Sequence, residues 1–406
     1  MLRAYHRVGE SKLGLLPNQL VGVGGSVSRS MQAWDVIVVG AGPAGCAAAY
    51  DLTTGGKSVL LLDRCRFPRP KACAGGVTIK AVRAFRYSIT PVVVATVCRI
   101  QVSKNLEHSA NLNSSTPLCL MTVREDLDAF CLRQTIGAGA EFRRIGQIHE
   151  VCELPDSVVL STAEGDMQAR FVIGADGANS QVRRLMGDAA WFHAGFALEA
   201  QVASQHHASS MHLDFGVVRD GYGWVFPKDG HLNVGLYSES QQHKITRDTL
   251  AEYIQKKLGT HKFNCLIGQY LGMGGRGNRH RHRRVLLVGD AAGLVDPLTG
   301  EGIYHAIVSG QAAARAINLE LSEGVPTVET FQTELREVQF DLGLSKRAAR
   351  RFYGDLNWGY AALTSPLVLS VAVRSYLQGL SFGRALKRYP FIAPYLSPAR
   401  NGHSSG

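Results

Sequence analysis

The segment WDVIVVGAGPAGCAAAYDLTTGGKSVLLLD, Trp34 to Asp63, decides the fold. WDVIVVG (34–40) is a short apolar run rich in β-branched residues and closed by glycine, as a buried strand would be. PAGCAAAYDLTTGG (43–56) continues with small helix-forming residues and stops at a Gly-Gly pair. KSVLLLD (57–63) is a second buried strand. Strand, helix and strand in so short a stretch predict a parallel, doubly wound α/β sheet. Between the first strand and the helix stands Gly40-Ala-Gly42-Pro-Ala44-Gly45, a GxGxxG pattern. Gly40 permits the tight turn, Gly42 lets the backbone approach a pyrophosphate, and Gly45 lets the helix pack close to the strand. The helix start, around Ala44, offers free N–H groups and the positive end of its dipole to that anion. Asp63 closes the second strand, followed by Arg64, and is placed to accept hydrogen bonds from a ribose. Dinucleotide binding is the expectation.

Outward from this unit the chain is interleaved. VREDLDAFCLRQTIGAGAEF (123–142) has a helical period, with Leu127, Phe130 and Cys131 on one face. ARFVIGADGANSQVRRLMG (169–187) reads as a strand, a glycine turn and a short basic helix. RRVLLVGDAAGLVDPLTGEGIYHA (283–306) reads as a strand, a glycine turn held open, and a helix over about 301–318. Alternating patterns predict antiparallel strands in 86–120 and 191–275, with a hairpin around Lys228–Gly230. The predicted architecture is therefore α/β. Segments 31–85, 121–190 and 276–325 build a Rossmann-like nucleotide-binding domain. Segments 86–120 and 191–275 build an antiparallel β-sheet substrate domain interleaved with it. Residues 326–406 form a C-terminal helical tail, and residues 1–30 a flexible N-terminal extension with Met31 as an alternative start.

The formal charge of +11 belongs to the ends of the chain. Residues 341–406 carry +7 and residues 1–30 carry +3, which leaves +1 for the body. No basic-aromatic stripe accompanies it, so nucleic acid is not expected as a partner. The eight cysteines include no CxxC pair, which argues against a zinc site or a disulfide framework and fits a reducing cytoplasm. No signal peptide is evident, and PLVLSVAV (366–373) is cut off by Arg374, short of the roughly 20 apolar residues of a span. SKRAARR and GRALKRYP beside apolar stretches suit docking on an anionic membrane surface.

Two later segments extend the nucleotide-binding pattern. Gly174-Ala-Asp176-Gly-Ala-Asn-Ser180-Gln-Val-Arg183, and Gly289-Asp290-Ala-Ala-Gly293 with Pro297-Leu-Thr-Gly300-Glu-Gly302, resemble motifs of flavoproteins of the para-hydroxybenzoate hydroxylase class. The resemblance implies that the dinucleotide is FAD and that Asp176 lines its cleft. It implies that Asp290 hydrogen-bonds the ribitol and that Arg124 contacts the flavin. The N–H groups from Gly300 to Ile303 would open a helix aimed at the carbonyl edge of the ring, where they stabilise negative charge.

FPRPKACAGGVT (67–78), GYGWVFPKDGHLNVGL (221–236) and DPLTGEGIYHA (296–306) resemble the corresponding segments of geranylgeranyl reductases, and the likeness covers about residues 34–310. That family implies hydride transfer from NADPH or NADH to FAD, then to a carbon–carbon double bond of a prenyl chain. An isolated alkene is a poor hydride acceptor, so a proton must reach the other carbon. Cys73 is the candidate to orient or protonate, since a thiol of pKa near ~8.5 keeps its proton at neutral pH. Tyr222, Trp224 and Phe226 alternate along a strand and are expected to face one way and line an apolar tunnel. Lys71 stands between two readings, a diphosphate contact and a solvated surface lysine. Ala74 occupies a position where the family has glycine, which puts the backbone beside the flavin in question. The basic loop GGRGNRHRHRR (274–284) reads as solvated, with a phosphate contact as its second reading.

Two rivals remain. A flavin-dependent monooxygenase or halogenase would share the fold, but halogenases carry WxWxIP where this chain has Tyr222, Trp224, Phe226 and Pro227. A non-enzymatic redox relay or binding module is opposed by the intact GDAAG and GEG segments.

Overall fold

The computed structural model describes residues 33–204, 210–240, 244–275 and 281–396. The expected N-terminal extension, residues 276–280 of the basic loop and the last ten residues lie outside that set.

Five parallel strands form the centre of the first sheet. Their spatial order is Glu141–Arg144, Val59–Asp63, Ala33–Val39, Gly165–Gly174 and Val285–Leu287. Val158–Thr162 and Ile148–Glu153 extend it antiparallel, beside the first half of Gly165–Gly174. Val36–Val38, Leu60–Leu62 and Phe171–Ile173 are fully buried. Unbroken apolar runs of this kind suit a parallel sheet covered on both faces. Each such side chain contributes about 1.5–3 kcal/mol by leaving water. Helix Pro43–Thr54 packs on helices Arg124–Gly137 and Ile303–Glu323. A Cβ at Gly310 would lie 2.2 Å from the Ala44 carbonyl oxygen, so glycine there lets two helices close on each other.

Register is what positions the site. Val39 lies opposite both Leu62 and Gly174, and Gly174 lies opposite Leu287. The chain therefore leaves three neighbouring strands at one level. The turns after Val39, Gly174 and Leu287 start side by side at the carboxyl edge, where open α/β sheets bind ligands.

The second sheet has seven strands, ordered Asn264–Met273, His193–Ala203, His231–Ser238, Gly221–Pro227, Ser210–Phe215, Arg99–Lys104 and His108–Asn113. The hairpin around Lys228–Gly230 forms as expected. The sheet is not wholly antiparallel, however: Arg99–Lys104 and Ser210–Phe215 pair in parallel. These strands come from the two separate insertions, and the α/β body between them serves as the long crossover that parallel strands require. Alternation in sequence reports one buried face and is blind to strand direction.

A third, three-stranded sheet joins Gly76–Thr78, Cys119–Thr122 and Val93–Val97. It draws on both the nucleotide-binding segments and an insertion. The tail is helical at Thr327–Gly354, Leu356–Thr364, Pro366–Leu377 and Phe382–Arg388. Among the described residues no single helix is long and apolar enough to cross a membrane.

Candidate active site

The three glycine turns touch. A Cβ on Gly40, whose φ is +105°, would lie 2.4 Å from the Ala175 carbonyl oxygen and 2.8 Å from the Asp176 nitrogen. One on Gly289 would lie 3.0 Å from the Ala44 Cβ, and one on Gly302 would lie 3.3 Å from Asp290 Oδ1. Arg183 ties the second turn to the third, donating to the carbonyls of Ala178 (2.7 Å) and Ala291 (3.0 Å). Gly42, Asp176 and Asp290 are thus neighbours at one edge.

Two carboxylates do more local work than the sequence suggests. Asp63 accepts the N–H groups of Ala41 (2.8 Å) and Cys65 (2.9 Å), so it fixes the glycine turn. Arg64 stands exposed beyond it. Asp176 Oδ2 accepts from Gln181 (2.6 Å) and Val182 (3.2 Å) at the start of helix Gln181–Leu185. Its Oδ1 is buried with no protein partner.

Charge gathers beside these turns. Asp128, fully buried, takes a two-pronged bond from Arg124 (2.9 and 3.0 Å) and a third contact from Arg69 (3.2 Å). Burial acts against the Arg124 charge, yet Asp128 holds it above its ordinary range. Arg69 Nη2 lies 3.7 Å from where a Gly42 Cβ would stand. Lys71 is pushed down to about 8, first by burial and then by Arg124, while Asp290 pulls it back. Its side chain is half-buried, between the two alternatives. Burial raises the Asp290 carboxyl, and Lys71 and the Gly272 N–H only partly offset it.

The third turn opens helix Ile303–Glu323 without a side-chain cap. The Gly300 N–H is spent on the Asp296 carbonyl (2.8 Å) and the Glu301 N–H on Thr299 Oγ1 (3.3 Å). The open donors are therefore those of Gly302 and Ile303, a narrower set than the expected run from Gly300. Glu301 is itself gripped by Thr78 (2.5 Å) and Lys80 (2.7 Å).

The Cys73 loop is held from two sides. The Arg124 guanidinium lies near the Cys73 side chain, and the Gly75 N–H donates to its Sγ (3.4 Å). From the second sheet, the Glu199 carboxyl lies against the Cys73 backbone, and Lys228 Nζ donates to the carbonyls of Ala74 (2.7 Å) and Thr122 (2.9 Å). Asn233 lies beside Glu199, and its Oδ1 accepts from Trp224 Nε1 (2.7 Å). Ala74 causes no strain, because the left-handed residue is the next one. Gly75 has φ +65°, and a Cβ there would stand 2.1 Å from the Thr122 carbonyl oxygen. Tyr222 donates its hydroxyl to the Thr299 carbonyl. Tyr222, Trp224 and Phe226 share one apolar face with Phe215 and Tyr237.

Residues 33–338 match the FAD binding domain family. The chain belongs to that family. Similar proteins align with 72% to 88% of it. An uncharacterized protein of Methanosarcina barkeri is 32% identical over 363 residues, 88% of this chain and 94% of its own. A menaquinone reductase of Mycolicibacterium smegmatis is 28% identical over 376 residues, 84% and 90% of the two chains. A geranylgeranyl diphosphate reductase of Rhodobacter capsulatus is 29% identical over 306 residues, 72% and 77%. The crystal structure of a geranylgeranyl bacteriochlorophyll reductase-like protein from Thermoplasma acidophilum has the same fold. Its TM-score is 0.76 at 20% identity, over 90% of this chain and all of that one.

FAD fits the residues present. Helices Pro43–Thr54 and Ile303–Glu323 both begin at glycine with no side-chain cap, which leaves N–H groups for a pyrophosphate and for an electron-poor ring. Arg69 and Lys71 supply positive charge between them, and the unpartnered Asp176 Oδ1 lacks only a donor. The cost of holding Asp290 ready is measurable. Its folded-state pKa lies above the unfolded value, so the folded chain binds more protons between the two and loses stability as pH rises through that interval. Asp290→Asn is therefore expected to raise the melting temperature of the FAD-free protein at pH 7, with a flatter profile from pH 4 to 7. It is expected to weaken FAD binding tenfold or more, roughly the worth of one charged hydrogen bond. Calorimetry across pH and a flavin titration check both.

Arg69, Asp128, Glu199, Lys228 and Asn233 are not among the site residues expected from sequence. Asp128 was visible as the i+4 partner of Arg124. Glu199, a lone charge inside the apolar stretch FALEAQVA, was visible as an anomaly.

Proposed function

We propose that this flavin-dependent oxidoreductase uses NADPH or NADH to reduce carbon–carbon double bonds in a prenyl chain of the geranylgeranyl class. One observation carries the reading: the Cys73 loop lies between Arg124 beside the glycine turns and the second sheet, where Lys228 bonds it and Glu199 lies against it, next to an aromatic cluster. FAD, when bound, supplies the hydride. The chain's own residues do the rest. Cys73 Sγ–H would donate a proton to one carbon of the double bond, which leaves the other carbon electron-poor and able to accept the hydride, with the electron pair of the S–H bond staying on sulfur. The Gly75 N–H, directed at that sulfur, and the nearby Arg124 charge would stabilise the thiolate left behind. Glu199 and Lys228 hold the loop at working distance. The buried rings of Trp224, Phe226 and Tyr237 exclude water, and Tyr222, the half-buried member of the cluster, would pack against the isoprenoid. The names of the relatives, a geranylgeranyl diphosphate reductase and a menaquinone reductase, support substrates with such chains.

Anaerobic incubation of the dithionite-reduced enzyme with geranylgeranyl diphosphate, and separately with a menaquinone, tests the reading by mass spectrometry. The product is expected to gain the mass of two hydrogens per saturated bond, with Cys73→Ala slower by about 100-fold, the usual worth of a positioned acid. Oxygen consumption coupled to NADPH oxidation, with no saturation of either compound, would replace it with a monooxygenase or halogenase.

A further inference from the structure

The turn before helix Ile303–Glu323 carries an arrangement that the proposed chemistry does not use. Three consecutive peptide carbonyls each accept a hydrogen bond from a different tyrosine. Tyr237 donates to Pro297 (3.1 Å), Tyr353 to Leu298 (2.8 Å) and Tyr222 to Thr299. The tyrosines come from three elements: strands Gly221–Pro227 and His231–Ser238, and the tail helix Thr327–Gly354. Burial pushes all three hydroxyls well above their ordinary titration range, so they remain donors at working pH. The same peptides are held by their N–H ends: Asp296 Oδ1 accepts from Leu298 (2.8 Å) and Thr299 (3.0 Å). Asp296 Oδ2 is fixed in turn by Ser345 of the tail helix (2.7 Å). The peptide planes of the turn are gripped at both ends.

The grip matters because the open donors of the helix start lie immediately downstream. The only N–H groups of this turn without a protein acceptor, among the described residues, belong to Gly302 and Ile303. A carbonyl swung toward the same place would oppose their field. Gly300 supplies the freedom for such a swing: its φ is +66°, and the Tyr222 hydroxyl and Tyr237 ring stand 3.5 and 3.6 Å from where its Cβ would be.

We propose that Tyr222, Tyr237 and Tyr353 form a dipole clamp, which keeps three peptide carbonyls turned away from the flavin so that the Gly302 and Ile303 N–H groups favour reduced over oxidised FAD. The three are positioning residues, acting through the turn. One of them, Tyr353, makes the C-terminal tail part of the cofactor's electrostatic surroundings. The inference rests on FAD lying against this turn, as the FAD assignment requires, and is independent of the prenyl substrate.

The test compares the flavin midpoint potential of the holoenzyme with those of Tyr353→Phe and Tyr237→Phe. Each variant is expected to bind reduced FAD about tenfold less favourably relative to oxidised FAD, a fall of about 30 mV for a two-electron couple. Tyr360→Phe is the matched control. Tyr360 also sits in the tail and donates to backbone carbonyls, those of Val102 (3.2 Å) and His108 (2.8 Å), away from the turn. It is expected to lower the melting temperature similarly and to leave the potential unchanged. Potentials of Tyr353→Phe and Tyr237→Phe that match the Tyr360→Phe value overturn the clamp. Should one of the pair release its cofactor, the other decides. A wild-type chain that takes up no FAD overturns the flavin assignment along with the clamp, and so tells that failure from failure of the clamp alone.

Discussion

Gly45→Ala is expected to give a colourless protein that unfolds well below the wild type. A single methyl group does this because no space exists for it. An ideal Cβ at position 45 would stand 1.8 Å from the Gly40 carbonyl oxygen, 3.0 Å from the carbon behind it and 3.3 Å from the Ala175 Cβ. The obstacle is backbone of the same turn, so relief requires the turn to open by more than an ångström. Opening it disturbs the bonds from the Gly40 N–H to Leu62 (2.6 Å) and from the Ala41 N–H to Asp63 (2.8 Å). The cost is on the order of 3 kcal/mol, the upper end of overpacking in a close-packed interior. The same opening moves the first N–H groups of helix Pro43–Thr54 off the cofactor phosphates. Gly177→Ala makes the useful contrast: its φ is +79° but nothing lies within 4 Å of the added atom. It should cost about 1–2 kcal/mol, from the left-handed backbone alone. Thermal melts and the visible flavin spectrum of both variants check the pair.

Lys228→Met is expected to keep its FAD and its spectrum while prenyl saturation falls about 100-fold, as a displacement of an ångström at a reacting group can cause. The methionine fills the volume but leaves the carbonyls of Ala74 and Thr122 without a donor, at about 1–3 kcal/mol of stability. The Cys73 loop then loses one of its two ties to the second sheet. A pH signature should accompany the loss. Burial pushes Lys228 down to about 8 from 10.5, with Cys73, Cys119 and Glu199 pulling it back. Wild-type turnover should therefore decline above about pH 8 as the ammonium loses its proton. Its contribution to stability has the opposite sign: the unfolded chain binds more protons between 8 and 10.5, so that contribution rises with pH. A fall in rate without unfolding is thus the expected result. Lys71 carries the same depressed value, so the limb belongs to whichever variant, Lys228→Met or Lys71→Met, abolishes it. A Lys228→Met enzyme with wild-type turnover would show that the loop needs no such tie.

The nucleotide-binding half was legible because its determinants are local. Gly40, Gly42 and Gly45 report a turn through the absence of side chains, and VIVV and VLLL report strands covered on both faces. The three turns could be assigned to one edge because the strands before them are all parallel. What stayed hidden joins residues far apart. The contacts of Glu199 with Cys73, Lys228 with Ala74 and Tyr353 with Leu298 leave no periodicity behind, and each residue alone looks like an ordinary buried or charged side chain. Asp63 illustrates a subtler limit. Its type and place suggested a ribose contact, but nothing in the sequence shows that backbone N–H groups already occupy both its oxygens. Ala74 drew attention as a departure from a motif, whereas the backbone requirement falls on Gly75.

The parallel seam between Arg99–Lys104 and Ser210–Phe215 bears on how the molecule is made. Arg99–Lys104 emerges from the ribosome with its hairpin mate, and its other neighbour is synthesised about a hundred residues later, some 5–20 s at ordinary translation speed. Through that interval one edge stays exposed to mispairing with other nascent chains. No single cut of the polypeptide releases the second sheet whole, so the two layers cannot be inherited, expressed or exchanged as separate modules.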